Sequence, residues 1–182
     1  MNANVRLKKM VAIRDAKPDD AEAAVDVVRR SITELCAADH HGDAKTVDQW
    51  LANKTSQNFR SWLTDGNNFC AIAEVNARLV GVGLLRRTGE IALFYLAPGM
   101  QRRGIGKALH VALEQKAMGW GLEKLHLDST ALARPFYEAL GYRATDCARP
   151  RFGVLCCYPY EKTLQPGTTI ERDAPQAARP SS

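Results

Sequence analysis

Residues 101–110 read QRRGIGKALH. Gly104 and Gly106 sit among Arg102, Arg103 and Lys107, and an apolar helical pattern follows through Ile105, Ala108, Leu109, Ala112 and Leu113 until Gly119-Trp120-Gly121 stops it. A helix start leaves its first N–H groups unpaired and carries about half a positive charge. Glycine lets a ligand approach that backbone closely, and the three cations deepen the field. The stretch is therefore predicted to hold an anion, most naturally a pyrophosphate. Two common phosphate loops do not match. A Walker A loop would need a glycine at Gln101 and Ser or Thr at Ala108, and a dinucleotide fingerprint would need a glycine at Leu109.

Upstream, "FCAIAEV", "RLVGVGLLRR" and "EIALFYLAP" are linked through Asn76-Ala77 and Thr88-Gly89, which predicts an antiparallel meander. Gly81 and Gly83 alternate along its middle strand and leave room for a neighbour or a ligand. Downstream, "KLHLDS" reads as a strand parallel to the last meander strand. "ALARPFYEALG" reads as a short helix ended by Gly141, and "YRATD" and "FGVLCCYPYEKTL" as closing strands. Before the meander, residues 10–13 read as a strand. Pro18-Asp19-Asp20 opens a helix whose stripe is Ala21, Ala24, Val25, Val28, Ile32 and Leu35. "ADHHGDAK" reads as a loop. Thr46-Val47-Asp48-Gln49 reads as a capping box opening a second helix, interrupted near 55–58 and ending near Asp65-Gly66. Residues 1–165 form one domain in this reading, and 166–182, without apolar periodicity, a disordered tail.

Gln101-x-x-Gly104-x-Gly106 after a strand, followed about thirty residues later by Ala133-x-x-Phe136-Tyr137-x-x-x-Gly141-Tyr142, resembles the GNAT superfamily of N-acetyltransferases. The element order over residues 10–164 is similar as well. The resemblance implies an α+β GNAT-like fold: a mixed, mostly antiparallel sheet of about six to seven strands flanked by helices, its fourth and fifth strands splayed. It implies acetyl-CoA as cosubstrate, with the pyrophosphate on the amides of Gln101, Arg102, Arg103, Gly104, Ile105, Gly106 and Lys107. The pantetheine arm would pair with the backbone from Phe94 to Leu96, an N–H near Phe94 would polarise the thioester, and Phe136 would pack against the arm or the sheet. Thr130 stands where the family often has Asn, and its hydroxyl is the candidate for the pantetheine amides.

For the chemistry, the resemblance makes Tyr137 the general acid at the departing thiolate. Glu90 is the first candidate base, and alternation places it on one face with Ala92, Phe94 and Leu96. A core tyrosine and a solvated acid are the structural alternatives. His126 and Asp128 share a strand face and are second-choice bases; His40 and His41 are exposed loop residues or acceptor contacts. Arg86, Arg87, Arg149 and Arg151 read as solvated or rim cations.

The rest of the chain sets bounds. Its 182 residues are 46% hydrophobic and 25% charged, which argues against fibre and wholesale disorder. The longest apolar runs fall far short of the ~20 residues of a membrane span. Met10-Val11-Ala12-Ile13, cut off by Arg14-Asp15, is too short for a signal sequence, so a cytoplasmic location is expected. Five cysteines without a C-x-x-C pair indicate neither a disulfide framework nor a zinc knuckle; they read as core or surface residues, with a catalytic thiol as the alternative. A net charge of +5 favours anionic partners, but no aromatic-interleaved basic stripe points to nucleic acid. The expected protein is a monomeric or homodimeric acetyltransferase, independent of metal and membrane, acting on a small-molecule or peptide amine by direct transfer in a ternary complex. A non-catalytic acyl-CoA sensor on the same scaffold is the alternative.

Overall fold

The computed structural model describes residues 11–151 and 154–164. The tail expected over 166–182 lies outside them, as do the side chains of Arg149, Arg151 and Cys156. Strand β1 (Val11–Asp15) runs into a 3-10 turn at Pro18–Asp20 and helix α1 (Ala21–Arg30), which continues as a π-helical turn over Ser31–Leu35. Arg14 ties this corner together. Its guanidinium forks onto both Asp20 oxygens at 2.8 Å and reaches Glu74 at 2.7 Å. The pair holds the Asp20 carboxyl below its ordinary range, because Arg14 bonds the charged form.

Helices α2 (Ala37–His40), α3 (Ala44–Leu51) and α4 (Ser56–Thr64) follow. The expected loop at "ADHH" is thus a helical turn, too short and too polar to show a stripe. The capping site also differs: Asp43, not Thr46, caps α3, accepting from the Thr46 amide at 2.8 Å and its hydroxyl at 2.6 Å. The expected interruption is a true break, with Thr55 capping α4 through the Asn58 amide.

The meander is β2 (Asn68–Val75), β3 (Arg78–Arg86) and β4 (Ile91–Leu96); with β1 on its outer edge it makes an antiparallel sheet ordered β1-β2-β3-β4. After α5 (Ile105–Gly119), β5 (Lys124–Ser129), α6 (Arg134–Ala139) and β6 (Arg143–Ala144) come β7 (Arg149–Arg151) and β8 (Val154–Thr163). The second sheet is ordered β5-β8-β6, with β7 also on β8. Among the described residues there are eight strands rather than six or seven, since the segment around Arg149–Arg151 adds a short strand that carries no alternation of its own. The sheets meet at one parallel bridge, Glu90 to His126, where the His126 amide donates to Gly89 at 2.9 Å. Beyond it β4 and β5 diverge.

Two cores flank the first sheet. On one face Val28, Ile32, Trp50 and Phe59 from the α1–α4 layer cover Val82, Leu84 and Leu93; on the other, Ile105, Leu109 and Leu113 of α5 cover Ala71, Ala73 and Leu85. Gly81 and Gly83 make room for protein, not ligand. A Cβ on Gly81 would stand 2.8 Å from Leu96, and one on Gly83 3.1 Å from Leu113. In β4 the register shifts: Leu85 pairs Ile91, yet Leu84 pairs Leu93, so Ala92 is a bulge.

Candidate active site

The loop before α5 takes the shape its glycines permit. Gly104, at φ +77°, is the left-handed N-cap of α5, and a Cβ there would meet no atom within 4 Å, so the surface above it is open. Arg102 is also left-handed, at φ +57°. The Gln101 side chain is spent inside the loop, accepting from Gly99 at 3.1 Å and donating to Ala97 at 3.3 Å. Ile105 is buried and contributes an anchor plus its amide. Gly106 permits a close approach: a Cβ would lie 3.2 Å from the Phe136 ring. Among the described residues the amides of Ile105, Gly106 and Lys107 find no backbone acceptor, as expected of a first helical turn. With Arg102, Arg103 and Lys107 beside it, this donor set fits a pyrophosphate.

Along β4 the hydrogen-bond phase is fixed by Ala97, whose amide donates to Val80 at 2.8 Å. Antiparallel pairs alternate, so Tyr95 and Leu93 spend their main-chain groups on β3, whereas Phe94 and Leu96, opposite Gly83 and Gly81, turn theirs away from it. They face the side from which β5 has departed. An extended ligand there would gain strand-like hydrogen bonds.

The Phe94 side chain stacks on Phe136 with centroids 5.6 Å apart and meets the Tyr137 ring edge-on at 6.1 Å. Tyr137 is buried, and its hydroxyl has no hydrogen-bond partner among the described residues. Burial first, then the nearby Tyr95 phenol, pushes its proton affinity up. Thr130 lies in the turn before α6. Its hydroxyl accepts from the Ala133 amide at 3.3 Å, closing the turn into α6.

Glu90 requires a correction. The bulge at Ala92 breaks the alternation, so Glu90 does not share a face with Phe94 and Leu96, which pack toward α5. It lies instead on a cavity of about 120 Å³ with Trp50, Lys54, Trp62, Ala92 and Tyr95. Arg86 orients its carboxylate through a 2.8 Å ion pair. A second cavity, of about 230 Å³, brings Glu90 together with His126 and Asp128, so those two share a face as expected. The histidine pair divides: His41 is exposed, but His40 is buried, its Nδ1 accepting from the Gly42 amide at 3.1 Å.

Asp39, Lys54 and His110, all buried, escaped the sequence reading. Asp39 accepts from the Ala131 amide at 2.7 Å and thereby fastens α2 to the turn that leads to Tyr137; burial raises its carboxyl above the usual range. Lys54 is 7% exposed and lies at the cavity that also holds Glu90 and Tyr95. His110 is fully buried, its Nε2 2.9 Å from the Tyr142 hydroxyl, and burial lowers it to about 4. Only His110 had a readable signal, since it falls beside the stripe of Leu109 and Leu113. Cys36 and Cys70 are poor nucleophiles, since burial pushes both thiols to about 12.

Residues 36–164 match the family model described as an acetyltransferase (GNAT) domain. The chain belongs to this family. The fold of this GNAT domain superposes on a GCN5-related N-acetyltransferase from Rhodopseudomonas palustris with a TM-score of 0.74 and 26% identity, covering 84% of this chain and 95% of the other. The PaiA N-acetyltransferase of Thermoplasma acidophilum, solved in complex with coenzyme A, shares the fold at a TM-score of 0.74 and 18% identity, over 85% and 99% of the two chains. The peptidyl-lysine N-acetyltransferase YiaC of Escherichia coli is 31% identical over 88 residues, 48% of this chain and 58% of that protein's length. Among the described residues no helix is long and apolar enough to cross a membrane.

Proposed function

We propose that this GNAT domain transfers an acetyl group from acetyl-CoA directly to a primary amine, small or peptidic, within a ternary complex. One observation carries the reading: the main-chain groups of Phe94 and Leu96 face an open split that has free helix-start amides at one end and Tyr137 beside it. The amides of residues 105–107, with Arg102, Arg103 and Lys107, hold the pyrophosphate. Phe94 and Leu96 pair with the pantetheine arm, and Phe136 walls it.

Acetyl-CoA, when bound, supplies the acetyl group as an activated thioester. The Phe94 N–H is the donor for the carbonyl oxygen as charge develops there. Tyr137 donates its proton to the departing thiolate. A phenol near 10 and a thiol near 8.5 leave this about 2 kcal/mol uphill in water; burial raises the Tyr137 phenol, and a thiolate desolvated in the same split would be raised in the same direction. The acceptor approaches on the other face of β4, along the cavity holding Glu90. A lysine-like ammonium costs roughly 4–5 kcal/mol to deprotonate at neutral pH, and Glu90, directly or through water, is the base for that step.

The test is thermal stabilisation by acetyl-CoA followed by a CoA-release screen over a broad amine library. Stabilisation together with CoA release that depends on an amine is the expected result. A folded protein that acetyl-CoA does not stabilise would overturn the reading; stabilisation without turnover on any amine would make the chain a sensor.

A further inference from the structure

We infer that Lys54 is the counter-ion for a carboxylate on the acceptor, so that the substrates are amines carrying a carboxylate rather than polycationic amines. The inference rests on the acetyl-transfer reading and narrows its substrate class.

Lys54 occupies the turn between α3 and α4, where a lysine would ordinarily extend into water. Here the turn is clamped. Arg29 donates to the carbonyls of Leu51 and Lys54, both at 3.2 Å, and the Asn58 amide side chain holds the Asn53 carbonyl at 2.9 Å. The side chain is thereby directed inward, to 7% exposure, onto the cavity lined by Trp50, Trp62, Ala92 and Tyr95. Its ammonium donates to the neutral Asn53 side chain and has no ion-pair partner among the described residues. The nearby carboxylate on the cavity wall, Glu90, is engaged by Arg86.

A buried ammonium without an anion destabilises a fold. An incoming carboxylate would regain that cost as binding free energy and satisfy the remaining donors. Burial alone lowers Lys54 to about 8, so it is still mostly cationic at neutral pH. The cavity also carries both signs, Glu90 for an ammonium and Lys54 for a carboxylate. Its volume of about 120 Å³ is below the ~300 Å³ at which drug-sized ligand sites begin, so it admits one end of a small zwitterion or of a peptide. A single ammonium matches a monoanionic carboxylate better than a phosphate dianion, which needs more donors. Polycationic amines would meet an unpaired like charge at the wall.

The test separates binding from turnover. Titration calorimetry with CoA present compares a series of ω-amino acids, from glycine to 6-aminohexanoate, with their primary amides, on the wild-type protein and on Lys54→Gln. At least one chain length is expected to bind about tenfold or more tightly than its amide on the wild type. Lys54→Gln should erase that preference, keep acetyl-CoA affinity and melt no lower than the wild type. Lys54→Arg should retain part of it. If no length prefers the carboxylate, or if the Gln variant keeps the preference, the assignment is wrong. Because this readout needs no transfer, it fails separately from the acetyltransferase reading, which the CoA-release screen tests by itself.

Discussion

His110 should make the protein acid-sensitive in a way one substitution removes. Its ring is fully buried, with Nε2 at 2.9 Å from the Tyr142 hydroxyl and Nδ1 at 3.5 Å from Glu114, which is itself paired with Lys162. Desolvation outweighs the pull of Glu114, and Lys162 adds to the lowering, so the folded value is about 4 against 6.5 for an ordinary histidine. Between those values the unfolded chain binds a proton that the folded one refuses, so acid favours unfolding. The stabilisation is complete above pH 6.5 and drains away as the pH falls toward 4. At about 1.36 kcal/mol per unit, the whole span is worth roughly 3 kcal/mol, of which about 2.5 is lost by about pH 4.5. Urea unfolding of wild type and His110→Gln, at intervals from about pH 7.5 to 4.5, measures it. The difference in unfolding free energy between the two proteins should shift against the wild type by that amount as the pH drops, because carboxylates common to both cancel. A difference that stays flat across the range would show that His110 is accommodated as a cation, and the account of the buried Tyr142–His110–Glu114 chain would fail.

Gly104→Glu should abolish acetyl-CoA stabilisation in a folded protein, by placing negative charge at the α5 start. Gly104→Ala, whose Cβ meets nothing within 4 Å, should cost only the left-handed strain of about 1 kcal/mol, read from unfolding curves. Tyr137→Phe should lower kcat about a hundredfold and leave acetyl-CoA affinity within about twofold; an unchanged rate removes Tyr137 from the proton path. Asp39→Ala should destabilise by about 2 kcal/mol by stranding the Ala131 amide, with Asp39→Asn milder, and equal losses in the two variants would refute the role of that hydrogen bond.

What the sequence showed and what it hid divide along physical lines. The loop before α5 was legible because its determinants are local: a glycine at the helix cap, a helix start and adjacent cations need no partner from elsewhere to be recognised. The meander was legible for the same reason, since its turns lie within a few residues of its strands. Glu90 was misplaced because β4 is covered on both faces, and a strand reading "IALFYL" gives no alternation in which a bulge would register. Lys54 was invisible: its burial is decided by Arg29, far back on α1, and a lysine in "ANKTSQN" looks solvated until that clamp is seen. Asp39 and His40 hid in a helical turn too short to carry a period.

The bulge also bears on the proposal that one strand serves two ligands. Because helices cover both faces of β4, packing consumes most of its side chains, and what it can offer a long flexible arm is the main chain at the edge that β5 leaves open. Strict alternation from Phe94 back to Glu90 would put the carboxylate on the α5 face, among Leu85, Leu109 and Leu113, where an ionised group costs several kcal/mol unless it is paired. Inserting Ala92 rotates the strand by one residue at that point and turns Glu90 out toward the cavity shared with Tyr95 and Lys54. The strand therefore presents hydrogen-bonding backbone at one end and an acidic side chain at the other. Under the proposed reaction, an acyl donor along the open edge and an acceptor beside Glu90 would therefore approach the same strand from different sides.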